Sequence, residues 1–367
     1  MPLRNRFMKI AIDIRALMEG KTTGVEVYLV NLLHELFKID SKNQYVLFAN
    51  SFRAVSLPSF NYSNVKLIVT KYPNKIFNLS QKLGFLQMEK LLGPVDLFFS
   101  PHWRVVTLKS STPLVVTFHD LFFEIIPEFF TARRRLWHAF MDYPKAARRA
   151  KKIIAVSDNT KKDLEDLYGI ENSKIKVVYP GMNPPRPSAP SLNQYFLYFG
   201  TLEPRKNIQT VIAAYERYAR ESSVKRKLVI AGSSGWKTKL SIPQSLADAI
   251  IVKINPDEQE KSALYQNAFA FLFPSFYEGF GFPILEAARS GKVVVASRNS
   301  SLEEIGKDFA LLANAFRPAQ FARLMLELEH DENLRIDLEK RGWRIAEKFN
   351  WRTAAEQTLR VFEEAAV

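Results

Sequence analysis

Two carboxylates eight positions apart, Glu278 and Glu286, follow an apolar segment in the second half of the chain and bracket Gly279 and Gly281. Glycines let backbone amides approach an anion, and the first amides of a helix favour phosphate. Glu278 is expected at the carboxyl end of a strand, where α/β sheets bind ligands. The alternative is a tight turn followed by an ordinary helix acid at Glu286. The residues alone leave these two interpretations balanced.

A second candidate site lies in the segment Phe199 to Asn207, again between a strand and a helix. Its adjacent Arg205 and Lys206 combine a fork of donors with a point charge, which suits a diphosphate. Two basic residues on a loop are more often solvated, and taken alone they favour that interpretation. Their place at the carboxyl end of a strand shifts the balance towards binding.

The first half of the chain has two weaker candidates. His119 follows an apolar run, where an imidazole would meet a substrate, although a lone histidine there is more often packed or capping. Gly24 lies between the first strand and the next helix, where it would let the backbone approach a phosphate. An ordinary loop glycine is the alternative for Gly24, and alone it is favoured.

Two glycine patterns do not fit the motifs that they resemble. Gly20-Lys21-Thr22 has Arg15 where a P-loop requires its earlier glycine. Gly279-Phe280-Gly281 has Ile284 at the third glycine position of a dinucleotide fingerprint. A P-loop nucleotide hydrolase and a nicotinamide dehydrogenase are therefore disfavoured.

These candidates need parallel sheets to bring strand ends together. Short β-branched or aromatic runs alternate with amphipathic stretches of helical length, which is typical of repeated βαβ units, and the pattern restarts in the second half. The fold class is therefore α/β, with two doubly wound domains. The predicted strands are 9–14, 45–49, 65–69, 97–100, 114–118, 152–156, 176–178, 195–200, 227–231, 250–254, 270–274, 292–296 and 310–313.

The 367 residues exceed the size of one hydrophobic core, so two domains and a cleft between them are expected. Prolines between 179 and 190 exclude regular helix or central strand and indicate a linker. We predict an N-terminal Rossmann-like domain over 1–182, a Pro-rich linker over 183–191 and a C-terminal Rossmann-like domain over 192–350. The last segment, 351–367, is predicted as a helix with an apolar face that packs on one of the domains or crosses back to the first.

Composition excludes several classes of protein. The sequence contains no cysteine, its five histidines are scattered without metal-ligand spacing, and it has no D-x-D pair, so no metal site is predicted. No run approaches the ~18 apolar residues of a membrane-spanning helix. The first residues lack a signal-peptide pattern. We therefore expect a cytoplasmic protein.

The formal charge of +14 calls for an anionic partner. Eight cations but only one acid, Asp142, fall between positions 131 and 152, with aromatic residues interleaved. Together with segment 72–92, this composition predicts contact with an anionic membrane, where each cation contributes ~1 kcal/mol. A solvated charged helix face is an equally weighted alternative.

The ordered set of these features resembles family 4 of the retaining glycosyltransferases with the GT-B fold, over nearly the whole chain. Glu278 and Glu286 match the ExxxxxxxE motif of that family. The other matching segments are 9–13 with its glycine loop, His119-Asp120, 156–159, 200–207, 300–305 and 349–351. The resemblance implies two facing Rossmann-like domains with a cleft between them, an acceptor domain over 1–182 and a nucleotide-sugar domain over 192–350.

The resemblance also implies roles for the candidate residues. Arg205 and Lys206 would hold the diphosphate of a nucleotide-sugar donor, and Glu286 would accept hydrogen bonds from its ribose hydroxyls. Glu278 would contact the transferred sugar, and His119 would face the reacting anomeric carbon from the N-terminal domain. The phosphate cradle would be completed by backbone at Gly24, Gly279, Phe280, Gly281 and Phe282.

The implied activity is transfer of a hexose, mannose or glucose, from a nucleotide-diphosphate sugar to a glycan or lipid-linked acceptor in the synthesis of a surface polysaccharide or glycolipid. Family members retain the anomeric configuration, so same-face attack through an oxocarbenium-like state is expected. Neither a metal nor a cofactor beyond the donor substrate is predicted. The enzyme would be cytoplasmic and peripheral at the inner face of the plasma membrane.

Two other functions stay open on the sequence. One is a non-catalytic basic binding or scaffold protein with the same fold, and the other is a nucleotide-sugar epimerase. A nucleic-acid partner is not expected, because binding nucleic acid requires no pair of carboxylates in a cleft.

Overall fold

The computed structural model describes residues 7–18, 24–53, 55–183, 194–235 and 240–367. The chain divides into two compact units, the first made of Met1–Gly181 with Asn350–Val367 and the second of Met182–Phe349. Most of the predicted linker, 184–191, and residues 20–23 of the first glycine loop lie outside the described residues. The first unit thus contains both the start and the end of the chain.

The first unit is built on a seven-stranded parallel sheet. Its strands are β1 (Lys9–Asp13), β2 (Gln44–Asn50), β3 (Val65–Thr70), β4 (Leu97–Ser100), β5 (Leu114–Phe118), β6 (Lys152–Ala155) and β7 (Ile175–Val177). They lie in the order β3-β2-β1-β4-β5-β6-β7. The chain therefore starts mid-sheet, winds to one edge and returns beside β1 at β4, which is the doubly wound Rossmann arrangement. Every residue of β4 and β5 is buried, as expected for strands covered on both faces.

In the described part of the first unit, seven helices surround this sheet or extend its loops, besides the last helix of the chain. They are α1 (Gly24–Ile39), α2 (Asn74–Lys82), α3 (Glu89–Leu92), α4 (Phe122–Ile125), α5 (Ala132–Met141), α6 (Tyr143–Arg149) and α7 (Asp158–Tyr168). α7 begins where the Ser157 side chain accepts from Thr160 N at 3.0 Å and ends at Gly169 in the left-handed conformation.

The second unit repeats the same winding on six parallel strands. They are β8 (Tyr195–Phe199), β9 (Lys227–Gly232), β10 (Ile250–Ile254), β11 (Ala268–Phe273), β12 (Val293–Ser297) and β13 (Ala310–Ala313). Their order is β10-β9-β8-β11-β12-β13, so the winding reverses between β8 and β11. The helices of this unit are α8 (Ile208–Glu221), α9 (Glu258–Asn267), α10 (Phe282–Arg289), α11 (Ser300–Gly306), α12 (Pro318–His330) and α13 (Glu332–Ala346).

The last helix, α14 (Trp351–Ala366), packs in the first unit along α1 and against β4, β5 and β6. Phe362 is fully buried with its ring centroid 4.9 Å from that of Phe99 on β4. Trp351 meets Tyr28 of α1 edge-on at 6.0 Å. The apolar face of α14 therefore completes the core of the first unit.

All the predicted strands are present, each with bounds within two residues of the prediction. Both units have the Rossmann-like winding, so the α/β fold class and the two doubly wound domains are confirmed. Along the described residues, no helix is both long and apolar enough to cross a bilayer.

Candidate functional site

The loops after β8 and β11 leave neighbouring strands at the point where the winding of the second sheet reverses. From there the chain continues through β9 and β10 towards one edge and through β12 and β13 towards the other. Such a reversal opens a crevice at the carboxyl ends of the strands, where doubly wound sheets bind ligands. Arg205 and Lys206 lie on the first loop, in the 3₁₀ turn Pro204–Lys206, and Glu278 lies on the second.

These two loops bring two cations and two carboxylates into one buried cluster. Lys206 Nζ donates to Glu278 Oε1 at 2.6 Å, and Arg205 donates to Glu278 Oε2 at 3.1 Å. On its other side, Arg205 Nε donates to Glu203 Oε1 at 2.9 Å. Glu203, Lys206 and Glu278 are all buried. The two positive and two negative formal charges cancel, so each buried charge is paired with an opposite one, as the cost of removing it from water requires.

The pairing also sets the charge of the first glutamate. Burial alone would raise the pKa of Glu278, but the charges of Arg205 and Lys206 and the hydrogen bonds from Lys206 and Ser275 outweigh it and lower the pKa. Burial lowers the pKa of Lys206, and the Arg205 charge lowers it further, while the carboxylates oppose the shift. Glu278 is therefore an anion at neutral pH, and both its oxygens are engaged.

Hydrogen bonds between the two loops hold the cluster in place. Asn207 has a left-handed backbone, with φ 54°, and donates from Nδ2 to Pro274 O at 3.0 Å, which ties the first loop to the second. Ser275 Oγ donates to Glu278 Oε1 at 2.6 Å. The positions of the charged side chains thus depend on uncharged neighbours in both loops.

The start of α11 holds the backbone of Glu278 from another side. Ser300 Oγ accepts from Glu278 N at 3.0 Å, and Ser301 Oγ donates to Glu278 O at 2.9 Å. Ser300 has a φ of 45°, a left-handed conformation that is strained for a residue other than glycine. Strain of this kind is kept where the surrounding structure requires one position, here that of Glu278.

The two glycines after Glu278 lead into the start of α10. Gly281 has a φ of 105°, and a Cβ there would lie 3.1 Å from Leu302 Cδ2, so both the backbone and the packing favour glycine. α10 begins at Phe282, and the segment Gly279 to Phe282 lies at its positive end. The helix dipole and the first amides favour an anion there.

Glu286 has partners of its own, on α9. Its Oε1 accepts from Lys261 Nζ at 2.6 Å, and its Oε2 accepts from Tyr265 OH at 2.9 Å. The carboxylate is about a quarter exposed (25%). The second glutamate is therefore held by one helix and still open to solvent.

In the first unit, His119 follows β5 with its ring fixed on two sides. Its Nε2 lies 2.8 Å from Pro101 O, and since a carbonyl only accepts, Nε2 carries the proton. The ring meets that of Tyr28 edge-on at 4.8 Å. Burial lowers the pKa of His119, against the opposing effects of the Pro101 carbonyl and of Asp120. At neutral pH the ring is therefore neutral, with Nδ1 as a hydrogen-bond acceptor.

Gly24 is the first residue of α1, after β1. Its amide lies at the positive end of a 16-residue helix, where a phosphate is favoured. One turn further along α1, Tyr28 contacts His119. Both predicted residues of the first unit therefore lie at the carboxyl end of its sheet.

A cavity of about 370 Å³ opens in the first unit next to the segment that follows His119. Its walls combine aromatic rings with carboxylate, imidazole and guanidinium groups. The volume falls in the range of small-molecule sites, ~300–1,000 Å³. The lining residues are Phe123, Glu124, Pro127, Phe130, Arg135, His138, Ala139, Asp142, Tyr143 and Pro144.

The structure brings together Arg205, Lys206 and Glu278, and it gives Glu286 a separate environment in the same unit, whereas His119 and Gly24 belong to the other unit. The sequence did not predict which side chains support these residues. Glu203, Asn207, Ser300 and Ser301 lie in the segments 200–207 and 300–305 that carry the resemblance, and Ser275 lies three positions before Glu278, but no role was predicted for them. Lys261 and Tyr265 lie outside those segments and were missed.

Solved structures share this architecture over nearly the whole chain. Sucrose-phosphate synthase from Thermosynechococcus elongatus superimposes with a TM-score of 0.74 at 17% identity, covering 97% of this chain and 98% of that one. HepE of Anabaena, solved in complex with UDP and glucose, gives a TM-score of 0.69 at 17% identity over 96% and 98% of the two chains. The two doubly wound units thus define a protein of the GT-B fold class.

Sequence comparison identifies the family. Residues 184–344 match the glycosyl transferases group 1 family, and residues 22–186 match glycosyltransferase family 4. The O-antigen chain mannosyltransferase B of Escherichia coli is 30% identical over 330 residues, 81% of this chain and 86% of that protein. The chain belongs to the group 1 and family 4 glycosyltransferases, and its function is glycosyl transfer.

Proposed function

We propose that this chain is a retaining, metal-independent hexosyltransferase. It would move a hexose, with mannose favoured, from a nucleotide-diphosphate sugar to a glycan or lipid-linked acceptor. The observation that carries the proposal is the cluster of Arg205 and Lys206 with Glu278 at the switch point of the second sheet. A relative named as an O-antigen chain mannosyltransferase supports mannose over glucose.

Donor binding would use the two cations and the start of α10. The Lys206 ammonium has three N–H donors, of which the described residues take one, at Glu278. The remaining donors of Lys206, the fork of Arg205 and the positive end of α10 from Gly279 to Phe282 would meet the diphosphate. Glu286 would accept from the ribose hydroxyls, and Gly24 would add a backbone contact from the first unit.

Retention would proceed by attack on the same face of the sugar. A covalent sugar intermediate requires a carboxylate that is free to act as a nucleophile. Glu278 is tied to Lys206, Ser275 and Arg205 through both oxygens, which favours a role in holding the sugar. The departing phosphate would take the proton of the acceptor, and the neutral His119 would orient a sugar hydroxyl through Nδ1.

Charge on the leaving diphosphate would be neutralised by the protein itself. Arg205, Lys206 and the helix end supply fixed positive charge in a crevice, where it acts strongly on a developing anion. Exhaustive EDTA treatment should therefore leave turnover unchanged. Adding Mg²⁺ or Mn²⁺ afterwards should not raise it. Loss of turnover that a metal restores would contradict metal independence.

The first experiment is calorimetric and thermal-shift titration with UDP-, GDP- and ADP-sugars. One donor should bind to the wild type and more weakly to Lys206→Ala and Glu286→Ala. Lys307→Ala, which removes an exposed lysine of the same unit, is the control and should bind that donor like the wild type. The anomeric configuration of the product, read by NMR coupling constants, tests retention. Binding of none of the donors would point to a scaffold or another ligand class.

A membrane-bound acceptor is supported by apolar side chains exposed on two helices of the first unit. Phe85 is 72% exposed and Leu136 74%, and patches of this kind usually mark an interaction site. Lys82 on α2 donates to Phe140 O of α5 at 2.5 Å and lies 4.0 Å over the Phe140 ring, so the two helices are in contact. The exposed apolar residues are Ile76, Leu79, Leu83 and Phe85 on or beside α2, and Leu136 and Trp137 on α5.

Charge favours an anionic bilayer as the partner of this α2–α5 patch. Exposed cations surround it, whereas Glu89, the one acid between positions 71 and 92, is buried. Each such cation contributes ~1 kcal/mol near an anionic surface. The patch would thus hold the enzyme at the inner face of the plasma membrane, beside a lipid-linked acceptor. The cations are Lys71, Lys75, Lys82, Arg133, Arg134 and Arg135.

Vesicle sedimentation tests the membrane contact. The wild type should pellet with phosphatidylcholine vesicles that contain phosphatidylglycerol, less so at high salt, and Leu136→Ser with Phe85→Ser should abolish pelleting. Phe316→Ser is the matched control, since Phe316 is equally exposed (74%) but lies in the second unit. If the wild type stays in the supernatant in the presence of anionic vesicles, the membrane contact is contradicted.

A further inference from the structure

One helix of the second unit supplies both partners of Glu286. Lys261 and Tyr265 are four positions apart on α9, and this spacing places them on the same face, one turn from each other. Lys261 Nζ donates to Glu286 Oε1 at 2.6 Å, and Tyr265 OH donates to Glu286 Oε2 at 2.9 Å. Each carboxylate oxygen is thus fixed by a separate donor.

Both donors are themselves held in place. The Tyr265 ring is buried between aromatic rings of two strands, with centroids 5.4 Å from Phe199 on β8 and 5.4 Å from Phe271 on β11. Lys261 Nζ lies 5.5 Å from the Phe199 ring centre, as a cation over an aromatic face. The orientation of the Glu286 carboxylate therefore follows from the packing of α9 on the sheet.

The protonation states suit this arrangement. Burial, together with the charge of Glu286, raises the pKa of Tyr265 well above its usual value, so the hydroxyl keeps its proton and donates. Burial would lower the pKa of Lys261, but Glu286 outweighs this effect and raises it, so the ammonium stays charged. Each Glu286 oxygen retains a further lone-pair direction, because a carboxylate has about four acceptor positions.

We propose that Lys261 and Tyr265 are positioning residues that aim the two free acceptor directions of Glu286 at the 2′- and 3′-hydroxyls of the donor ribose, so that they determine selectivity for ribonucleotide donors. The inference rests on the proposed function, in which Glu286 meets the ribose. It extends that function to two residues outside the ExxxxxxxE motif. A ribose without these hydroxyls would leave the oriented Glu286 carboxylate without hydrogen-bond donors. A site built to hydrogen-bond a ligand binds an analogue that lacks those groups much more weakly.

The test compares two ligands on each variant of the full chain. Calorimetry would give the Kd of UDP, GDP and ADP and of their 2′,3′-dideoxy analogues, and the ratio for each base measures ribose recognition. We expect the dideoxy ligand to bind the wild type ~30-fold more weakly, and Tyr265→Phe and Lys261→Met to reduce that ratio to ~3-fold. Because a ratio cancels any change in the folded fraction, a merely structural role would leave it unchanged.

Two further variants complete the comparison. Glu286→Gln should reduce the ratio like the two positioning variants. Tyr195→Phe should keep the wild-type ratio, because Tyr195 OH also bonds to α9, at Leu264 O (3.0 Å), but does not touch Glu286. A wild-type ratio in both Tyr265→Phe and Lys261→Met would overturn the inference and leave the donor site intact. Failure of every diphosphate to bind the wild type would overturn the proposed donor site together with the inference.

Discussion

Lys206 Nζ and Glu278 Oε1 lie 2.6 Å apart, although 72 positions separate the two residues in the chain. They meet because β8 and β11 are neighbours where the winding of the sheet reverses. The cations that suit a diphosphate are thus already paired within the protein. In the proposed donor site a diphosphate would share them with Glu278, so donor binding would depend on that carboxylate as well as on the cations.

Glu278→Gln should destabilise the second unit and abolish transfer. Removing one charge leaves Arg205 and Lys206 with a single buried carboxylate, Glu203, which costs ~3 kcal/mol in the free energy of unfolding. Asp337→Asn breaks an exposed ion pair with Arg341 and should cost less than ~1 kcal/mol. Urea unfolding and turnover of the two variants provide the check, and equal losses would show that the cluster adds no stability.

His119→Ala should lower turnover by ~100-fold, with a smaller effect on the KM for the donor. The ring is held by Pro101 and Tyr28 in one orientation, so its loss would remove the group that we propose orients the reacting sugar. Steady-state kinetics beside His330→Ala, an exposed histidine of the second unit, would show the difference. Wild-type turnover in His119→Ala would remove this residue from the mechanism.

Mild acid should destabilise the first unit. Burial, as the largest cause, lowers the pKa of four of its histidines below the ~6.5 of an unfolded chain, so the folded unit binds fewer protons than the unfolded one. The stability that they contribute is complete above about pH 6.5 and is lost as pH falls through the lowered values. These residues are His34, His102, His119 and His138.

Calorimetry from pH 8 to pH 5 would follow this loss. The melting temperature of the first unit should stay level down to about pH 6.5 and then fall. His102→Gln should flatten the fall, because the pKa of His102 is lowered well below its usual value by burial and by the charges of Arg104 and other histidines. A melting temperature that does not change across this range would contradict the assignment.

Gly232→Ala should disrupt the end of β9. Gly232 has a φ of 144°, and a Cβ there would lie 1.9 Å from Gly200 O, so the neighbouring backbone would have to move. We expect a loss of ~3 kcal/mol or a failure to fold. Gly291→Ala is the control, since its φ is 69° with nothing within 4 Å, and it should cost only the ~1 kcal/mol of a left-handed residue. Thermal unfolding would rank the two variants, and a milder effect at Gly232 would contradict the packing.

Phe362→Ala should destabilise the first unit by ~3–5 kcal/mol, because the side chain is fully buried against Phe99. Hydrogen exchange measured on peptides would assign the loss to Met1–Gly181 and leave Met182–Phe349 protected. Phe316→Ala, an exposed phenylalanine, should change stability by less than ~0.5 kcal/mol. Deprotection of the second unit in Phe362→Ala would contradict the place of α14.

The strands were predictable from the sequence because burial on both faces of a parallel sheet leaves an apolar run that composition alone makes visible. Ala268–Phe273 and Leu114–Phe118 are examples, with every residue buried. The positions of Arg205, Lys206 and Glu278 followed from one more rule, that ligands bind at the carboxyl ends of such strands.

The contacts within the site could not be predicted, because they depend on strand order and on side-chain orientation. Nothing in the local sequence brings Lys206 to Glu278, since that requires β8 beside β11. Glu203 is an acid on a polar loop, which composition assigns to solvent, yet it is buried under Arg205. The sequence indicates only that Tyr265 is a core aromatic residue, and the structure shows that its hydroxyl donates a hydrogen bond to Glu286.

The return of α14 to the first unit sets an order for folding during synthesis. The ribosome makes the whole of Met182–Phe349 before it makes the residues that cover Phe99 and Tyr28. Until then the nascent first unit exposes the apolar surface that α14 will occupy. Translation must therefore pass α14 before the amino-terminal half becomes stable.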